Sequence, residues 1–143
     1  MNVKIQDLKD VTINGVKTLC TKSLGSYKET FFEWTAFPMA VDFKSTRIAC
    51  GLLEGWHHTP TFNEIEYHED AELFYFLEGP ALMLFVDIKA GKAVMIPAGT
   101  ELSIDPGKGH FVAVAEGDTM KALVVAPVQD SPRITLDETV CGE

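Results

Sequence analysis

Basic residues are scarce. Twelve Lys and Arg stand against 21 Asp and Glu, and the 143-residue chain carries a formal charge of −9. A surface of that sign repels phosphate backbones, and no Lys/Arg cluster offsets it, so neither nucleic acid nor an anionic membrane is an expected partner. Cysteine is sparse as well. Cys20, Cys50 and Cys141 are odd in number and lack CxxC spacing, which excludes a disulfide framework and a thiolate zinc site. Cys20 and Cys50 lie in apolar runs and are expected as buried small hydrophobes. No apolar run approaches the ~20 residues of a membrane helix. The first residues, Met1 to Asp7, hold no apolar signal-peptide core, so a cytoplasmic location is expected. Helical periodicity is missing too: no segment keeps apolar positions at helical spacing for three turns.

Short apolar runs with turn signals between them are what the chain does have. Val11-Thr12-Ile13 and Val16 to Leu19 flank Asn14-Gly15, a strong hairpin signal. Further runs lie at Phe31–Phe37, Thr46–Leu53, Leu73–Leu77, Ala81–Ile88, Ala93–Ile96, Glu101–Ile104, His110–Ala115 and Met120–Val125. Breakers separate them at Glu78-Gly79-Pro80, Lys89-Ala90-Gly91, Pro97-Ala98-Gly99, Asp105-Pro106-Gly107 and Glu116-Gly117-Asp118. Strands at this spacing predict an all-β sandwich or barrel. Phe74 to Leu77 and Leu82 to Val86 are apolar on both faces and are expected to be central strands. Neither repeat nor linker interrupts the chain, and the length suits one domain. Within it, strands at 1–45 lead into a barrel at 46–127, followed by a tail at 128–143.

The tract from Gly55 to Glu72 stands apart. It holds His57, His58 and His68, three of the four histidines, and is densely acidic from Glu64 onward. Glu66 and His68 are two apart, so on a strand they share a face. A turn at Glu69-Asp70-Ala71 brings in the next strand at Glu72, with Glu69 and Asp70 expected as solvated turn residues. Far along the chain, His110 opens a strand after the Pro106-Gly107 turn.

These residues resemble the two cupin motifs. In G-x5-H-x-H-x3-4-E-x6-G, His68 matches the second His, Glu72 the Glu and Gly79 the closing Gly. Glu66 stands for the first His and Pro60 for the opening Gly. In G-x5-P-x-G-x2-H-x3-N, Gly99, Gly107 and His110 match, while Asp105 and Val114 replace Pro and Asn. A rival register uses Gly91, Pro97 and Gly99 but places Leu102 at the His position, so the first is preferred. The resemblance implies a single jelly-roll barrel, a double-stranded β-helix of the cupin type. It also implies a divalent metal (Ni, Mn, Fe or Zn) on Glu66, His68, Glu72 and His110. Small cupins commonly pair through β-strands, so a homodimer is expected.

From Thr46 to Pro127 the chain is also similar to ureidoglycolate lyases, on Thr61, Glu64, Glu66, His68, Gly99 and His110. Tyr67 stands where that family has Arg, and Gly109-His110-Phe111 lacks its Trp-His-His-Pro cluster. This likeness implies an enzyme that releases urea and glyoxylate from a small ureido acid, with His68, His110 and Glu66 as candidate catalytic groups. His58, Lys108 and Tyr75 are candidate substrate contacts. Their plainer readings are an exposed loop histidine, a solvated turn lysine and a core aromatic. The alternative to an enzyme is a binding module with a degenerate metal site, which would hold a small acid or sugar without turning it over.

Overall fold

The computed structural model of the chain describes residues 1–87 and 90–143. In order, its strands are β1 (Asn2–Val3), β2 (Ile5–Asp7), β3 (Val16–Cys20), β4 (Tyr27–Lys28), β5 (Glu33–Trp34), β6 (Ile48–Trp56), β7 (Thr61–Glu66) and β8 (Glu72–Glu78). They continue with β9 (Ala81–Asp87), β10 (Ala90–Ile96), β11 (Thr100–Ile104), β12 (Gly109–His110), β13 (Val114–Ala115), β14 (Thr119–Pro127) and β15 (Arg133–Gly142). Two short 3₁₀ turns are the only helical elements among the described residues. None is long and apolar enough to cross a membrane. The expected strand end at Ile88 and the breaker at Lys89 lie outside the described residues.

Two sheets face each other. One runs β1-β15-β7-β12-β9-β10-β2, with β13 joined to β9, and the other runs β3-β11-β8-β14-β6. Phe74, Phe76, Met83, Phe85, Val94, Ile96, Leu102, Ile104 and Met120 fill the space between them. Period-2 alternation decides which side chains enter: on β8, Glu72, Phe74 and Phe76 turn inward, while Leu73 and Tyr75 turn out and are half-buried. β9 is buried along both faces from Ala81 to Phe85, because Leu84 enters a second cluster with Phe62, Ile65, Ala93 and Val140. Both strands read as central are central: β8 lies between β11 and β14, and β9 between β10 and the short β12 and β13. Phe85 is 1% exposed, so Phe85→Ala should lower unfolding free energy by ~3–5 kcal/mol in urea titration. A loss under ~1 kcal/mol would remove it from the packing centre.

Four sequence expectations are corrected here. The Asn14-Gly15 turn forms, with Gly15 at φ +77°, but no hairpin follows. Ile13 leaves for the main core, and β3 pairs with β11 instead. The Phe31–Phe37 run shortens to the small β4–β5 hairpin, whose aromatics stay largely exposed. The tail at 128–143 carries β15, which pairs with β7 and β1 inside the larger sheet. Cys20 and Cys50 are exposed, because both lie on strands at the two edges of the smaller sheet.

Candidate metal and acid-base site

Strand pairing assembles the site. β12 is only two residues long, yet it lies between β7 and β9, with His110 in register against Glu66 on one side and Phe85 on the other. Directly opposed residues in a ladder share a face, so Glu66 and His110 meet. Gly109 lets β12 come this close, since a Cβ there would lie 2.9 Å from Ile65 Cδ1. His68 follows the end of β7. The Gly107 N–H donates to the His68 carbonyl at 2.8 Å, which ties the two ligand-bearing turns together. Gly107 has φ +78°, a left-handed conformation that side-chain-bearing residues rarely adopt. Glu72 opens β8 on the opposite sheet and points in from there.

Four side chains therefore converge from both sheets. His68 Nε2 lies 3.1 Å from Glu72 Oε2, and His110 Nε2 lies 3.2 Å from the same oxygen and 3.7 Å from Glu66 Oε1. The two imidazole rings are 5.4 Å apart, centre to centre. Ligand atoms of Glu66, His68 and His110 all fall within 4.8 Å of one another. His68, Glu72 and His110 are buried and Glu66 is partly so.

Hydrogen bonding fixes the tautomers. His68 Nδ1 sits 3.1 Å from the Asp130 carbonyl, and His110 Nδ1 sits 3.0 Å from the Lys108 carbonyl. A carbonyl only accepts, so each Nδ1 carries the hydrogen and each neutral ring aims an Nε2 lone pair at the carboxylates. Lone pair then faces lone pair at 3.1–3.2 Å, an arrangement that needs a proton or a cation between. His68 Nε2 and Glu72 Oε2 make no properly oriented hydrogen bond despite their closeness. With no metal, the proton fills the role. The Glu72 carboxylate beside His68 raises that imidazole above its ordinary value, against the opposing effect of burial. Burial pushes the Glu72 carboxyl up, but His110 and His68 outweigh it and hold it at about 2.

The same donor set fits a divalent transition metal. Two imidazole nitrogens and two carboxylates suit Zn, Mn, Fe or Ni, and each Nδ1–H donating to a carbonyl is the usual support behind a metal-bound histidine.

The three candidate substrate contacts lie elsewhere. Tyr75 is on the face of β8 opposite Glu72. Its hydroxyl is 3.4 Å from Thr21 Oγ1 and its ring 5.2 Å from that of Phe37. His58 is exposed and stacks on Phe111, with Nε2 3.3 Å from the Thr61 carbonyl. Lys108 runs its methylenes past Gly15, and its carbonyl, taken by His110 Nδ1, is what meets the cluster. Asp70, expected as a solvated turn residue, is buried. Its carboxylate accepts the N–H groups of Lys44, Ser45 and Ala71 at 2.8–3.0 Å. Burial alone would raise its pKa, but these bonds lower it below the usual carboxylate range.

Beside His68 opens a cleft of about 710 Å³, walled also by Lys44, Tyr67, Asp70, Gly107 and Gln129. Gln129 was not singled out from the sequence, where nothing marks it. Its Oε1 accepts the Asp70 N–H at 3.0 Å, and its buried Nε2 has no hydrogen-bond partner.

No protein-family model matches the sequence, and no curated protein does. Among solved structures, the chain is similar to the WlaRB TDP-quinovose 3,4-ketoisomerase of Campylobacter jejuni. The TM-score is 0.59 at 14% identity, covering 82% of this chain and 89% of that one. It is also similar to a mutant of the 3,4-ketoisomerase QdtA of Thermoanaerobacterium thermosaccharolyticum in complex with TDP-4-keto-6-deoxyglucose. There the TM-score is 0.56 at 11% identity, covering 86% and 88%. Together with the two facing, mainly antiparallel sheets, these likenesses make the fold a cupin-type jelly-roll barrel.

Proposed function

We propose that this chain is a small cupin enzyme. In this reading Glu66, His68, Glu72 and His110 hold one divalent transition metal beside a cleft that takes a small organic or ureido acid. The observation that carries the proposal is the pair of Nε2 lone pairs, each locked by a main-chain carbonyl and aimed at one carboxylate oxygen. A cation satisfies both at once. When bound, such an ion supplies Lewis-acid stabilisation of a carboxylate or carbonyl oxygen.

Proton work then falls to the second carboxylate oxygen of Glu66, the one that does not hold the ion, because both imidazoles are engaged. Glu66 is also the least buried of the four, its side chain 17% exposed. Ureidoglycolate is the first substrate class to test. Glu66 would take the hydroxyl proton as the C–N bond breaks, and return it to the departing ureido nitrogen. The products are glyoxylate and urea, with no net proton change. Gln129 Nε2, a buried donor without an acceptor, would meet a substrate oxygen at the cleft wall.

The test is turnover of a panel of ureidoglycolate, other small hydroxy acids and, because of the structural neighbours, TDP-4-keto-6-deoxyglucose. Each is assayed with added Mn, Fe, Ni or Zn. His68→Ala, His110→Ala and Glu66→Gln should each lower kcat by ~10²–10⁴, while His57→Ala should stay within about twofold. If nothing in the panel turns over, the enzyme reading fails. Binding of a panel member without turnover would put the binding module in its place.

A further inference from the structure

Three segments without strand pairing meet beside His68. The first, 35–47, joins β5 to β6 and crosses the outer face of the smaller sheet. There Phe37 lies on Tyr75, and Met39 Sδ is 4.0 Å from Ser103 Oγ. The second, 67–71, joins β7 to β8 and carries His68. The third, 128–132, joins β14 to β15 and supplies the Asp130 carbonyl that holds His68 Nδ1. No ladder sets these segments against one another, so other contacts must.

Asp70 supplies them in both directions. Its carboxylate accepts the Lys44 and Ser45 N–H groups of the first segment at 3.0 and 2.9 Å, and the Ala71 N–H of its own turn at 2.8 Å. Its main-chain N–H donates to Gln129 Oε1 of the third segment at 3.0 Å. Lys44 Nζ adds a bond to the Glu69 carbonyl at 2.7 Å. Asp70 is 7% exposed, so water does not readily replace these bonds. The arrangement requires a carboxylate, which only accepts at both oxygens. An amide of the same shape would set one N–H donor against another, either at Ser45 or at Lys44 and Ala71.

Position in the chain gives this clasp its reach. Asp70 is two residues from His68 and two from Glu72, whose side chains approach to 3.1 Å. A shift of Asp70 moves both. It also releases Gln129, and with it the adjacent Asp130 carbonyl on which the His68 tautomer depends. His110 is served separately, by the Lys108 carbonyl on the other turn.

We propose that Asp70 is a positioning residue for the candidate site. It holds segments 35–47 and 128–132 on the turn between His68 and Glu72, and so sets the His68 imidazole and the Gln129 amide in the cleft wall. Its bearing on chemistry rests on the reading of His68 and Glu72 as metal ligands.

Nuclear magnetic resonance of chelator-treated protein, labelled with ¹⁵N in histidine, tests the clasp without any metal. The Nδ1–H protons of His68 and His110, each held on a carbonyl, should exchange slowly in the wild type. In Asp70→Asn the His68 proton should exchange at least ~10-fold faster, as loss of a charge-assisted bond allows, while His110 stays within about twofold. Gln129→Leu, which removes the Oε1 acceptor and keeps the Asp70 carboxylate, should also accelerate His68 alone. Zn affinity, read by competition with a chelating dye, should fall ~10–100-fold in Asp70→Asn. A wild type that binds no Zn ends the metal reading, while the imidazole signals still judge Asp70. An unchanged His68 proton in folded Asp70→Asn overturns the proposal. So does equal acceleration at His68 and His110, which a general loss of stability would produce, or a Zn affinity equal to that of a Zn-binding wild type. If Asp70→Asn does not fold, Gln129→Leu decides on the same two protons.

Discussion

Replacing His110 by Ala should strip the site of its metal. Wild-type protein prepared without chelator should hold about one divalent transition metal per chain, and the variant none. Loss of a residue that merely supports a ligand lowers affinity ~10–100-fold, so loss of a ligand should cost at least ~100-fold. His68→Ala should behave the same way, whereas His57→Ala and His58→Ala should bind like wild type. Elemental analysis, with titration against a competing chelator, reads both the content and the affinity. His110 is 1% exposed, so far-ultraviolet circular dichroism must show the variant folded. If folded His68→Ala and His110→Ala both keep wild-type affinity, the ion is not held by these residues.

Changing the pH should move apo stability and metal affinity in opposite directions above pH 6.5. His68 has its folded pKa raised by Glu72. Its contribution to apo stability is therefore full below the unfolded value near 6.5 and is lost as pH rises through the folded value. Glu72 has its folded pKa lowered to about 2. Its contribution is full above the unfolded value near 4.5 and is lost as pH falls toward 2. The metal-free protein should then be most stable between about pH 4.5 and 6.5. A metal needs the His68 imidazole neutral, so the proton it displaces there weakens binding up to tenfold per pH unit below the folded pKa. Thermal unfolding at pH 5, 6.5 and 8, with chelator and with one equivalent of Zn or Mn, should show a gap that widens with pH. An equal gap at all three values would mean that the ion binds elsewhere.

Much of this site was legible before any coordinates. Two-residue spacing aligns Glu66 with His68, and the Pro106-Gly107 turn announces His110 as the start of a strand. The same parity rule, applied to β8, places Tyr75 on the face opposite Glu72, so that candidate could have been set aside from the sequence. Other parts had no signal. The carbonyls of Asp130 and Lys108 fix both tautomers, but every residue has a carbonyl, and only the fold decides which one faces an imidazole. Asp70 reads as a turn residue because its partners, the N–H groups of Lys44 and Ser45, are 26 and 25 residues upstream. Cys50 reads as buried because its strand is apolar. Apolar character says that a strand wants cover, not that its own chain provides it.

Glu66, His68 and His110 belong to one sheet and its adjoining turn, while Glu72 belongs to the other. An ion gripping all four would be a cross-link across the mouth of the barrel, closing a loop of roughly 45 residues between Glu66 and His110. By the chain-entropy relation for a covalent tie, a loop of that length restricts the unfolded ensemble by about 4 kcal/mol. That applies only to the extent that the ion stays attached to the unfolded chain. The three cysteines form no such tie, so beyond the packed core the carboxylates and imidazoles are the groups through which an ion would tie the two layers. Removing the ion should then loosen the seam between the sheets before it loosens either sheet. Amide exchange should rise first in the turns at 67–71 and 105–109, and only later along β8 and β9.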